Sequence, residues 1–202
     1  MFTKETVKNK LGVEVAITSD MADALSTWSL LYKNQASWLN DFVKSMNLPA
    51  SIAGELANLV TLELEIEITG DNARSKFLQA QIDKVVPKLR QMVEYGNAKG
   101  GLMFKPFPSN KEIAIDFVQA DQFLPIAFDA NGNITSCIFI DQRVQGKDYF
   151  TRLEWHEFDS SKSSITIKNL AFKSTNADDI GNQIDLASFP AWAVLKPIAT
   201  IK

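Results

Sequence analysis

The chain has 202 residues, 46% of them hydrophobic and 22% charged, so it can bury a sizeable core without cross-links. Its net charge of -3 at pH 7 excludes the broad basic surface by which proteins hold nucleic acid tightly, because neutralised phosphates supply most of that affinity. A single cysteine, Cys137, excludes an internal disulfide framework and fits a reducing, cytoplasmic setting.

The N-terminal stretch MFTKETVKNK is positive but has no apolar segment behind it, and it reads as no secretory signal. No apolar run approaches the roughly 20 residues that cross a bilayer. VEVAI (13–17) reads as a brief strand. Thr18, Ser19 and Asp20 offer N-cap oxygens for a helix in which Met21, Ala24, Leu25, Trp28, Leu31 and Tyr32 recur at helical spacing. Asn47 and Pro49 mark a second helix, with Ile52, Ala53, Leu56, Ala57 and Val60 on one face.

TLELEIEIT (61–69) changes to a period of two. Leu62, Leu64, Ile66 and Ile68 fall on one side and Glu63, Glu65 and Glu67 on the other, the pattern of a half-buried strand with an acidic outer face. A helix running on from residue 50 is the competing reading. Asp71 opens the longest periodic segment, whose apolar stripe runs from Phe77 and Leu78 to Met92 and Val93. Pro87 should kink or split it, and Gly96 and Asn97 should stop it.

From Gly100 the pattern becomes that of strands: 100–107, 112–118, 123–128, 134–140, 149–158 and 164–172, joined by short polar turns as in an antiparallel meander. The sequence DANGN (129–133) is the clearest hairpin turn. A polar loop (173–183) precedes the last apolar segment, PAWAVLKPIATI. Helices followed by a run of strands predict an α+β fold: N-terminal helices (1–99) packed on a mainly antiparallel β-meander (100–202). The chain ends at Lys202 just after an apolar segment and reads as cut off.

Candidate chemistry is sparse. His156, the only histidine, shares a strand face with Arg152 and Glu154, and a general acid–base reading would pair it with Glu154. An exposed, charge-paired sheet face is the simpler account, since no nucleophile lies near in sequence. Cys137 sits among apolar neighbours in ITSCIFI and reads as core. Asp129, Asn131 and Asn133 imitate the start of a calcium loop. Ile134 and Ile140, however, stand where that loop needs glycine and a bidentate glutamate. GDNARSK (70–76) and GNAKGG (96–101) lack the spacing of a phosphate loop. One histidine and one cysteine leave only carboxylates for a metal. Trp28, Tyr32 and Trp38 read as packing residues, with an interface as the minority reading. The residues by themselves therefore name no catalytic, cofactor or metal site, and they predict a protein that is not an enzyme.

Several stretches in order resemble the portal proteins of tailed bacteriophages, of the type found in siphophages and prophages of Gram-positive bacteria. They are MADALSTWSLLYKNQASWL (21–39), LPASIAGELANLVTLELEIEITG (48–70), LRQMVEYGNAKGGLMFKPF (89–107), IAIDFVQADQFLPIAFDANGNIT (113–135) and YFTRLEWHEF (149–158). The resemblance spans nearly the whole chain and implies one wing-type domain over 1–202, without the stem, clip, tunnel loop and crown of a complete portal. It implies a structural subunit of a ring, usually dodecameric, that serves as the port for DNA packaging and ejection and joins head to tail. Capsid and scaffolding proteins, the terminase and head-completion proteins would be its partners, first in the host cytoplasm and then in the virion. DNA would pass through the complete channel without tight binding by this segment, and no membrane or cofactor is implied. The rival expectations are another phage head-morphogenesis protein, or a small intracellular enzyme or ligand-binding domain using Glu154, His156 and Asp141.

Overall fold

In a computed structural model, residues 4–109 and 111–201 are described. Met1–Thr3, where the N-terminal stretch begins, and Lys202, on which the expected cut-off falls, lie outside the described residues. Among the described residues the fold is mixed α+β, as the element order predicts: four α-helices, then antiparallel strands. The chain divides into two units. One is Asp23–Asp121; the other joins the segment up to Ala22 with everything from Gln122 onward. Helices give way to strands at residues 99–102, as expected, but the two compact units do not follow that boundary. The first helix goes with the large sheet, and the first two strands go with the later helices.

Helix α2 (Ser19–Tyr32), most of which belongs to the Asp23–Asp121 unit, starts where the sequence places it, since the Thr18 hydroxyl accepts from the Met21 amide at 3.1 Å. Helix α3 (Leu48–Thr61) also starts as predicted, with Pro49 in its first turn, but its faces are reversed. Against helix α4 (Ala73–Lys99) it buries the small residues Ala53 and Ala57, the latter 0% exposed. Ile52, Leu56 and Val60, expected on the same buried face, point outward, Val60 being 64% exposed.

The strand predicted over 61–69 is absent. Helix α3 runs to Thr61, and residues 64–70 form no ladder. What satisfies this backbone is a side chain: the Gln79 amide of α4 donates to the Ile66 carbonyl at 3.0 Å and accepts from the Ile68 N–H at 2.7 Å. One glutamine thus does for two alternating residues what a neighbouring strand would do, leaving Ile66 and Ile68 half-buried and the three glutamates exposed.

Helix α4 is capped by Asn72, whose side chain accepts from the Arg74 and Ser75 amides. It continues through Pro87 without splitting and past Gly96 and Asn97. It ends only at Gly100, which takes the left-handed conformation (φ 74°) and lies under the Trp28 ring. Strands β1 (Leu102–Ser109) and β2 (Glu112–Gln119) form a separate two-stranded hairpin on α4. A single meander from Gly100 is thereby corrected to two sheets.

The other unit is built on a six-stranded antiparallel sheet. Strands β3 (Phe123–Phe128), β4 (Ile134–Gln145), β5 (Asp148–Asp159) and β6 (Ser164–Ser174) run in sequence. The short strands β7 (Asn182–Ile184) and β8 (Ile198–Ile201) pair with opposite ends of β6. Helix α1 (Lys4–Leu11), which the polar start of the chain did not announce, covers one face with the segment 13–17. That segment is not a strand; its one ladder-like bond joins the Ala16 N–H to the Pro125 carbonyl at 2.8 Å. Its alternation is nonetheless used, because Val13, Val15 and Ile17 meet the core of Val7, Leu124, Ile138, Leu153 and Phe172. On the opposite face, Phe150 and Ala171 pack under Leu186 and Trp192 of the segment leading to β8.

Candidate functional site

The sheet face that carries Phe150 also carries the polar residues singled out from the sequence. The register explains how they meet. Strands β4 and β5 are joined by a two-residue turn, Gly146–Lys147, with Gly146 at φ 65°. That turn puts Asp141 opposite Arg152, Phe139 opposite Glu154 and Cys137 opposite His156, each pair on one face. On the other side of β5, Asn169 of β6 lies opposite Glu154.

A continuous network results. Glu154 accepts from Arg152 Nη1 at 2.7 Å through Oε2, and its Oε1 lies 2.7 Å from His156 Nε2. The same Arg152 nitrogen donates to Asn169 Oδ1 at 2.9 Å, while Nη2 lies 3.8 Å from Asp141. Asp141 in turn accepts from Arg143 Nε at 2.7 Å and from the Trp192 indole at 3.3 Å. Asn169 is anchored by donating its side-chain amide to the Lys196 carbonyl and its backbone N–H to the Pro197 carbonyl.

This face is not the exposed surface that the sequence suggested. The side chains of Arg152, Glu154 and His156 are only 14%, 12% and 19% accessible. The His156 ring meets the edge of Phe139 at 5.0 Å, and Phe139 meets Phe123 at 5.4 Å. Arg152 and His156 thus engage the two oxygens of Glu154 separately, and the contact with Glu154 fixes the imidazole orientation. Alternation along β5 made three of these residues legible. It could not show that Cys137 lies across from His156, since that depends on pairing register.

The remaining candidates are structural. Asp129 Oδ1 accepts from the Asn131 and Asn133 amides, each at 2.8 Å, closing the turn before β4 with Gly132 at φ 82°. The Asn133 side chain, followed by backbone donors, holds the Asp129 carboxyl below its ordinary value. GDNARSK supplies the cap of α4, and GNAKGG its last turn and end. Tyr32 donates to Glu94 at 2.7 Å and meets Tyr95 edge-on, while Trp28 and Trp38 keep exposed surface. Burial, and then the bond to Glu94, raise the Tyr32 phenol above its ordinary value.

Among the described residues, no group of three or more His, Cys, Asp or Glu side chains is arranged to hold a metal ion. Also among them, no helix is long and apolar enough to cross a membrane. Compared with known proteins, the chain matches no family model and no curated protein.

Proposed function

We propose that the chain is a structural subunit of an oligomeric assembly, the wing part of a tailed-phage portal ring through which DNA is packaged and ejected. One observation carries the assembly part of this reading. Helix α3 is apolar almost all round, yet it buries its alanines and turns its large side chains outward. A helix of that composition is ordinarily covered on both sides. The ordered resemblance of segments 21–39, 48–70, 89–107, 113–135 and 149–158 supplies the portal part. The exposed glutamates 63, 65 and 67 suit a wall that DNA passes without being held. Capsid, terminase and head-completion proteins would be partners of the assembled ring.

Negative-stain microscopy of the intact gene product tests the reading. Closed rings with a central channel are expected; a monodisperse monomer at high concentration would contradict it.

A second reading, a small enzyme, rests on the register that sets Cys137 opposite His156, whose ring is held by Glu154. Thiol, imidazole and carboxylate in that order are the parts of a nucleophile, its base and the group that orients the base. Iodoacetamide kinetics decide between the readings. An enzyme predicts fast alkylation of Cys137 that His156→Ala slows at least tenfold. The structure leaves Cys137 half-buried and outside both core clusters, not in the core that its apolar neighbours suggested, and an unactivated thiol there predicts slow alkylation in both proteins.

A further inference from the structure

Several places in the fold hold unusual groups. The buried Lys99–Asp121 pair is explained by its role in joining α4 to the turn before β3. The Arg152–Glu154–His156 chain belongs to the face already described, and the outward stripe of α3 belongs to the assembly reading. Residues 64–69 are different, because one edge of their backbone is held as in a sheet while the other edge is left open.

Gln79 sets the held edge. Its side-chain amide bonds the Ile66 carbonyl and the Ile68 N–H, the two groups that one residue of a parallel neighbour, opposite Glu67, would bond. The other amide hydrogen of Gln79 goes to Asp83 Oδ1 at 2.8 Å, so the holding side chain is itself fixed. Along a strand, the backbone groups of successive residues point to opposite edges. With Ile66 and Ile68 turned to Gln79, the N–H and C=O of Glu65, Glu67 and Thr69 turn away from it. Among the described residues these groups meet no hydrogen-bond partner, and all three residues are exposed.

The open edge has definite ends. A turn closes it on one side, where the Leu64 N–H donates to the Thr61 carbonyl at 3.4 Å. On the other side Gly70, at φ 117°, leads the chain into the Asn72 cap of α4. What lies between is the length of a short strand. Its side chains specify those of a neighbour. Glu63, Glu65 and Glu67 are exposed, and the lysines of α4 do not neutralise them: Lys76 pairs with Asp71 and Lys84 with Glu112. Opposite charges across a strand pair attract and like charges repel. A second copy of this segment is therefore the wrong neighbour, since it would set glutamate against glutamate.

We propose that Glu65–Thr69 is a docking edge for strand addition, taken by an extended segment of a partner protein with lysine or arginine at alternate positions. The segment pairs its backbone with Glu65, Glu67 and Thr69 and its cations with the glutamates. Because Gln79 already orders the receiving backbone, little of the ordering cost falls on this side of the contact. The proposal stands independently of the portal reading. It also gives the alternation over 61–69 a use: a strand pattern that finds no strand within the described chain is completed from outside.

NMR titration of the 202-residue chain with two synthetic peptides tests the docking edge. One peptide alternates lysine and threonine. The other has the same sequence but carries a methyl group on every backbone nitrogen, which keeps all the charges and removes the donors of a ladder. The first should bind at least tenfold more tightly than the second and slow exchange of the Glu65 and Glu67 amides at least tenfold. Glu65→Lys with Glu67→Lys should abolish this binding and accept instead a peptide alternating glutamate and threonine, which also shows that the variant is folded. No binding of the lysine peptide, equal binding of the two peptides, or binding that leaves Glu65 and Glu67 exchange unchanged would overturn the proposal. The glutamates would then serve only to keep other strands off this edge.

Discussion

Asp159 closes the turn between β5 and β6, and its surroundings set its charge. It accepts from the Ser161 hydroxyl at 2.6 Å and lies 2.9 Å from the Lys162 ammonium. The hydroxyl first, and the lysine after it, bring its carboxyl down to about 2. A carboxyl lowered in the folded chain steadies the turn above the ordinary carboxylate value of roughly 4, and that contribution disappears as pH falls from there through about 2. An NMR titration should find the Asp159 midpoint near 2 and a rise toward the ordinary value in Ser161→Ala. An unshifted midpoint in the wild type would contradict the geometry. Lys99 makes the opposite case, a buried charge with a dedicated partner. Its side chain is 5% accessible and lies 2.6 Å from Asp121, which also accepts from Ser29. Lys99→Met should destabilise the Asp23–Asp121 unit by about 3 kcal/mol, because Asp121 keeps its burial and loses its cation. Lys99→Met combined with Asp121→Leu should cost less than the single change. Urea unfolding followed by Trp28 and Trp38 fluorescence measures both, and a single variant as stable as wild type would show the pair to be incidental.

At the scale of elements, the sequence was most legible where local chemistry decides. The Thr18 cap, the start of α3 at Asn47 and Pro49, the Asp129 turn and all six long strands lie where spacing and turn residues place them. It was least legible where tertiary partners decide. Alternation over 61–69 is real but is answered by Gln79 of α4 and not by a strand. Alternation over 13–17 is answered by the core beneath it, without a ladder. Pro87 is accommodated inside α4, although proline lacks the N–H that an interior position donates. The candidate site divides along the same line: Arg152, Glu154 and His156 follow from alternation along one strand. Cys137 opposite His156 follows from register, which the Gly146–Lys147 turn sets by counting outward along both strands. Gln79→Leu tests the substitute ladder. Exchange of the Ile68 amide should quicken at least tenfold while the helical signal of α4 persists; unchanged protection would mean that another group holds that segment.

For the whole molecule, the decisive feature is the mismatch between what α3 buries and what it shows. Sequence periodicity grouped Ala53 and Ala57 with Ile52, Leu56 and Val60, because all five are apolar and share a broad arc. The structure divides that arc: the small residues fit α4, and the large ones remain outside. Periodicity reports that a face is apolar, but not whether its partner lies in the same chain. Apolar surface of this extent costs free energy while it stays in contact with water, and the proposed assembly rests on that cost. The central claim is therefore assembly, and mass photometry of the intact gene product at nanomolar to micromolar concentration tests it most directly. The account predicts a discrete population at a high multiple of the subunit mass, as a closed ring requires. A single monomer peak across the whole range would contradict it.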